Sequence, residues 1–344
     1  MATTGLGPTL LSNTPKREEW IEELKAYKQF INYLGNAIPM NGEEPPPMVK
    51  VAILDDGARL ADLNGVQHGW SFCADNQKYF VGPCKHGTEM AVCVRDICPV
   101  SELCIVRLDD SQALRWALDN NKGADVISMS WTYEMCPGNR DPDKDEFEKL
   151  VKEAVGSQKV ILFGSLPDLG PTNVASSRSP VGLNGVIKIS SSTRAGSVVE
   201  DNIHQFSDFL LPGHDIVNLQ SELVRGSSFA TAYAAGLAAL ILYSFRVLDA
   251  MLEDDNIART ALRVAKTPIG MKGIFDNLAP ETGRAAGGGN SNIGRFVQPS
   301  GVLRAPPAAL SALDKKVSHL RNIVNNLVPE NLIRRVFPGG VPED

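Results

Sequence analysis

The sequence predicts an α/β fold, a mostly parallel twisted sheet layered between helices on both faces. Three observations predict it. Short β-branched apolar runs recur along the middle of the chain, as in VAIL (51–54), CIV (104–106), VIS (126–128), KVILF (159–163) and GVIKI (185–189). Segments with helical spacing separate them, and strands alternating with helices imply right-handed crossovers and parallel pairing. Several runs stop at Asp, Gly or Ser, the residues that close tight turns at strand ends.

Taken in order, residues 14–34 read as an amphipathic helix. Thr14 stands at its cap and Pro15 in its first turn, with Trp20, Leu24, Tyr27, Ile31 and Leu34 on one face. The Pro-rich linker GEEPPPM (42–48) closes a first region, 1–47. The run Val49–Leu54 breaks at Asp55-Asp56-Gly57, which places a carboxylate at the carboxyl end of a buried strand, where open α/β sheets build their sites. His86-Gly87-Thr88 opens a segment with Met90, Ala91, Val92 and Val94, fit for a short helix. Leu114, Ala117 and Leu118 recur at helical spacing, Gly123 ends that helix, and Val126–Met129 is a buried strand. Gly226-Ser227-Ser228 precedes a long run of helix formers, so Ser228 stands at a helix N-terminus, where free N–H groups favour developing negative charge.

The later chain reads as closing helices over 255–266 and 270–278, then a Gly/Ala-rich linker (279–306) and an amphipathic helix and tail (307–344). In the tail, Leu310, Leu313, Val317, Leu320, Val324 and Leu327 alternate spacings of three and four. That is under three heptads, and the helix contacts either the core or a partner.

Composition bounds the function. At 344 residues and 43% hydrophobic content, the chain can bury one large core. A net charge of −6 without a basic run argues against a nucleic-acid surface. The stretch 229–245 lacks charge for 17 residues, near the lower limit for a membrane span, and reads as a buried helix. The N-terminus lacks a basic stretch followed by an apolar core, so no secretory signal and a cytoplasmic setting are expected. The six cysteines (73, 84, 93, 98, 104, 136) include no C-x-x-C pair, so reduced thiols are expected and a structural zinc is not. No cofactor is implied, and calcium stays possible with no site assigned, since no dense acidic loop marks one. A nucleotide-binding reading lacks a G-x-G-x-x-G after a strand.

Asp55, His86 and Ser228 form a set from which a nucleophile–base–orienter relay can be built, and Asp…His…Ser is one of the few chain orders such relays use. The blocks VAILDDG (51–57), HGTEMA (86–91) and GSSFATA (226–232) resemble those of the subtilase (subtilisin-like, S8-type) serine peptidases. The resemblance extends over about residues 48–250. It implies a three-layer subtilisin-like fold for a domain spanning 48–278 and hydrolysis of a polypeptide substrate through an acyl-enzyme. In that resemblance Ser228 is the nucleophile, His86 the base and Asp55 the orienter. Asp56, where many subtilases have Thr or Ser, points away from His86 by strand alternation and is otherwise a solvated turn residue, though its charge is near enough to raise the histidine's pKa.

Two positions depart from the family pattern. The Gly-Asn pair whose asparagine donates to the oxyanion reads Gly164-Ser165 here, with no asparagine nearby until Asn173. Ser165 is therefore the residue at the oxyanion position, and slow turnover is expected. Ser130-Trp131-Thr132 replaces Ser-Leu-Gly on the substrate-binding strand, and Gly164 is a further substrate-binding residue in the resemblance. The bulk of threonine in place of glycine implies a restricted pocket preferring small side chains. The alternative is a pseudopeptidase, an intracellular peptide-binding or signalling module. A broader resemblance is to intracellular subtilase-like modules of filamentous fungi.

Overall fold

The computed structural model describes residues 18–40, 44–63, 66–73, 78–80, 84–107, 111–119, 123–134, 141–168, 178–193, 195–197, 206–252, 255–279 and 294–341. Thr14, Pro15, Cys136, Asn173 and most of the Gly/Ala-rich linker lie outside them. The strands are β1 (Lys50–Asp55), β2 (Val66–Ser71), β3 (Glu102–Arg107), β4 (Val126–Met129), β5 (Tyr133–Glu134), β6 (Ile161–Ser165), β7 (Arg178–Ser179), β8 (Ile187–Ser192), β9 (Phe209–Pro212), β10 (Ile216–Val217), β11 (Leu223–Val224) and β12 (Arg295–Phe296). The α-helices are α1 (Glu18–Glu23), α2 (Lys25–Met40), α3 (His86–Ile97), α4 (Gln112–Leu118), α5 (Pro142–Ser157), α6 (Ser227–Met251), α7 (Asn256–Ala265), α8 (Pro268–Leu278), α9 (Leu313–Leu327) and α10 (Glu330–Val336).

Eight strands form one sheet in the order β12-β9-β8-β6-β4-β1-β3-β2, and every pair in it is parallel. Strand alternation divides the core in two. Val51 and Ile53 of β1 enter a large cluster with α2, α3 and α6, while Ala52 and Leu54 enter a smaller one with α4 and α5. Both faces are thus covered, which is why the central strands read as continuous apolar runs rather than alternating ones.

Helix α6 is the axis of the larger layer. Its residues from Phe229 through Leu248 are all buried, including the uncharged stretch noted in the sequence. Buried on all sides, it needs no polar face. Arg246 is the one charge in that buried run. It is met by Asp125 at 2.5 Å and by the carbonyls of Met48 (2.8 Å) and Pro47 (3.3 Å), so its burial is compensated.

Glycines set how closely α6 is approached. A Cβ on Gly236 would sit 2.9 Å from both Ile97 Cβ and the Val94 carbonyl oxygen of α3. On α2, a Cβ at Gly35 would lie 2.5 Å from Tyr243 Oη. The N-terminal helical region runs six residues past the expected end at Leu34, with Gly35 inside it at this close approach. Its apolar face, Trp20, Leu24, Tyr27, Ile31 and Leu34, is buried as the spacing required. Tyr27 Oη donates to Ser244 Oγ of α6 at 3.0 Å. Helix α9 buries Leu320, Ile323, Val324 and Leu327 and lies against α6, α7 and α8.

Candidate active site

Two carboxyl strand ends and two helix starts meet at the site. Asp55 is the last residue of β1 and is only 7% exposed. His86 is the first residue of α3. Its Nδ1 lies 2.8 and 3.0 Å from the two Asp55 oxygens. An ionised carboxylate only accepts, so Nδ1 carries the proton and Nε2 presents the lone pair. Burial works against a charged imidazole, but the Asp55 hydrogen bond and charge outweigh it, with Asp56 and Glu89 adding, and the His86 pKa rises above its ordinary value. Burial also lifts the Asp55 carboxyl, against the opposing pull of the His86 hydrogen bond.

Asp56 does not touch the imidazole; its carboxylate works on the backbone below it. It accepts the Gly87 N–H at 2.7 Å and the Cys84 N–H at 3.2 Å, with the Cys84 thiol on the same oxygen. It therefore holds the loop and first turn that carry His86, rather than standing as a merely solvated turn residue. The Gly87 position also demands glycine, since a Cβ there would lie 2.2 Å from the Gly57 carbonyl oxygen. Burial and Asp56 both push the Cys84 thiol up, so this exposed cysteine stays protonated.

Ser228 is the second residue of α6. Its Oγ donates to the Ser130 carbonyl at 3.1 Å, and Ser130 Oγ returns a bond to the Ser228 carbonyl at 3.3 Å. Ser130 directly follows β4, which pairs with β1, so Ser228 is fastened beside the strand end that holds Asp55. The Ser228 hydroxyl faces Ser130 and not the imidazole. Among the described residues, nothing accepts the Ser228 backbone N–H, which leaves it an open donor at the start of α6.

The remaining expected residues divide by what they touch. The Trp131 indole packs against Tyr133 and Phe147, over the smaller core, and its Nε1 donates to the Leu54 carbonyl at 2.8 Å. It anchors the end of β1 instead of lining an open pocket with its ring. Thr132 is half-buried beside it. Gly164 sits on β6, where a Cβ would meet Val181 at 2.8 Å and Val186 at 3.0 Å. Ser165 is buried, and its Oγ bonds to the Leu166 carbonyl at 3.2 Å, so its hydroxyl is not brought to Ser228.

A residue the sequence did not single out lies closer. Asp168, in the turn after β6, accepts the Ser227 N–H at 3.0 and 3.1 Å and the Ser227 hydroxyl at 2.8 Å. Ser227 Oγ also accepts the Ser191 N–H of β8 at 3.1 Å. Among the described residues, no group of three or more His, Cys, Asp or Glu is arranged to hold a metal ion.

The model of the subtilase family matches residues 48–277. The chain belongs to the subtilase family. It is a subtilisin-like serine peptidase, and the match spans the region that holds Asp55, His86 and Ser228. Among solved structures, this subtilase is similar to a lanthipeptide protease at 19% identity and a TM-score of 0.57, covering 81% of this chain and 95% of that one. It is similar to a cold-adapted subtilisin-like serine proteinase at 18% identity and a TM-score of 0.54, covering 72% and 87%. The subtilase cytotoxin SubAB assembly matches at 14% identity and a TM-score of 0.58, covering 91% and 99%. No curated protein matches the chain at the level of sequence.

Proposed function

We propose that this subtilase hydrolyses peptide bonds with Ser228 as nucleophile, His86 as base and Asp55 as orienter. The observation that carries the reading is the two-oxygen contact between Asp55 and His86 Nδ1, which leaves Nε2 as the basic nitrogen. A serine hydroxyl is a weak nucleophile near neutral pH, so it must lose its proton as it attacks. The Ser228 hydroxyl turns from the Ser130 carbonyl to Nε2 and gives up its proton there. Its oxygen bonds to the substrate carbonyl carbon, and the carbonyl oxygen takes the charge. When the carbon–nitrogen bond breaks, the imidazolium returns the proton to the leaving amine. Water then repeats the sequence on the acyl-enzyme, and Asp55 holds the tautomer throughout.

The oxyanion has the Ser228 N–H as its donor in this reading. Ser165, engaged with Leu166, supplies no second one. Loss of one such donor costs about 10²–10³-fold in turnover, so the enzyme is slow rather than inert. The peptide lies along residues 130–132, contacted through main chain because the Trp131 ring is committed to the core. Thr132 adds bulk that restricts the adjoining pocket to small side chains.

Labelling with a fluorophosphonate probe tests this. Wild type takes up the probe, and Ser228→Ala and His86→Ala do not. Probe on a residue other than Ser228, or folded wild type that never labels, overturns the assignment.

A further inference from the structure

We propose that Asp168 is a positioning residue for the oxyanion donor and that its charge restrains the rate. The inference rests on Ser228 being the nucleophile. It begins from the bonding of Ser227, the residue before it. Ser227 is fully buried, and its N–H and hydroxyl both end on the Asp168 carboxylate, while its Oγ accepts from Ser191 of β8. The start of α6 is thus tied to the turn after β6 and to the end of β8 through one side chain. A further limit on movement is Gly226, where even a Cβ would lie 3.2 Å from Asp168 Oδ2.

This clamp has a geometric consequence. The first N–H groups of a helix all point out of its N-terminal end. Asp168 consumes the Ser227 N–H, and the next donor, the Ser228 N–H, is left open beside it. The clamp therefore aims the donor.

It has an electrostatic consequence as well. The tetrahedral intermediate gathers negative charge at the Ser228 N–H, next to a carboxylate already seated on the neighbouring N–H. A carboxylate accepts and cannot donate, whereas an amide of the same shape removes the charge and adds donors. Ser165, three residues earlier, offers no compensation. Asp168 is exposed, so water screens the repulsion and the effect stays modest.

Asp168→Asn and Asp168→Ala in the full chain separate clamp from charge. Asparagine keeps an oxygen for the Ser227 N–H and loses the charge. It is expected to raise kcat by about three- to tenfold with KM unchanged, because the charge acts only on the transition state, and the gain shrinks as salt is added. Alanine loses the clamp and is expected to lower kcat by about tenfold. Asp168→Asn at or below the wild-type kcat, while the probe still labels Ser228, overturns this proposal and leaves the nucleophile assignment standing. Labelling that survives Ser228→Ala overturns both.

Discussion

Replacing Gly236 by alanine tests whether the contact between α3 and α6 sets the spacing of His86 and Ser228, the proposed base and nucleophile. Val94 lies about two helical turns beyond His86, and Gly236 the same distance beyond Ser228, so this contact is the fulcrum below the site. The added Cβ would sit 2.9 Å from Ile97 Cβ and from the Val94 oxygen. Carbon contacts relax at about 3.5–4.0 Å, so the helices must part by about 0.6–1 Å. The neighbours include backbone, which cannot turn aside. Overpacking of this kind costs about 1–3 kcal/mol. Alanine returns about 0.8–1.0 kcal/mol of helix propensity, which leaves a net loss of about 0–2 kcal/mol. Activity should suffer more than stability, since a displacement of about 1 Å at reacting groups costs up to about 10²-fold. Urea unfolding reads the first quantity and the fluorophosphonate labelling rate the second. A Gly236→Ala protein that is more stable than wild type and labels at the wild-type rate would refute the reasoning.

Three further outcomes are expected. The raised His86 pKa sets the sign of the pH dependence: the protonated ring is not a base, so kcat/KM falls with acidification through an apparent pKa above the ordinary value near about 6.5. Asp56→Asn removes one of the nearby negative charges and shifts that limb down; a wild-type limb at or below the ordinary value contradicts the account. Arg246→Ala leaves Asp125 and two carbonyls without their cation and should destabilise by about 3 kcal/mol in denaturant unfolding, with a loss under about 1 kcal/mol counting against a structural role for the pair.

The parts of the site that were legible in the sequence are those written locally. Asp55 ends an apolar run, and His86 and Ser228 each open a helix, so each announces itself within a few residues. The β1, β4 and β6 runs and the buried α6 are equally local. What escaped depends on partners far along the chain. Asp168 meets Ser227 across 59 residues, and Asp56 meets Gly87 across 31. Nothing in the segment SLPDLG (165–170) says which backbone its aspartate will find. Trp131 misled for a related reason. Beside Ser130 it reads as a pocket residue, but strand direction sends its ring to Phe147, a contact set by how α5 crosses the sheet. The short pairs β5–β7 and β10–β11, two residues per strand, are below the length at which periodicity speaks.

The burial of α6 on all sides also governs when the peptidase comes into being. Its neighbours arrive from both directions of the chain: Tyr27 reaches Ser244 across 217 residues, and α9 closes on it from the far end. Contacts of such separation form slowly, because long loops must close before the contacts reward them. Until then α6 is an exposed apolar segment that invites association with other chains. Ser228 rides on its first turn, and His86, its base in the proposed relay, rides on α3, a separate piece of chain. A half-folded molecule therefore holds Ser228 without His86 in place. On the proposed relay, cleaving power emerges only with the completed core, and enclosing this apolar helix is part of what assembles it.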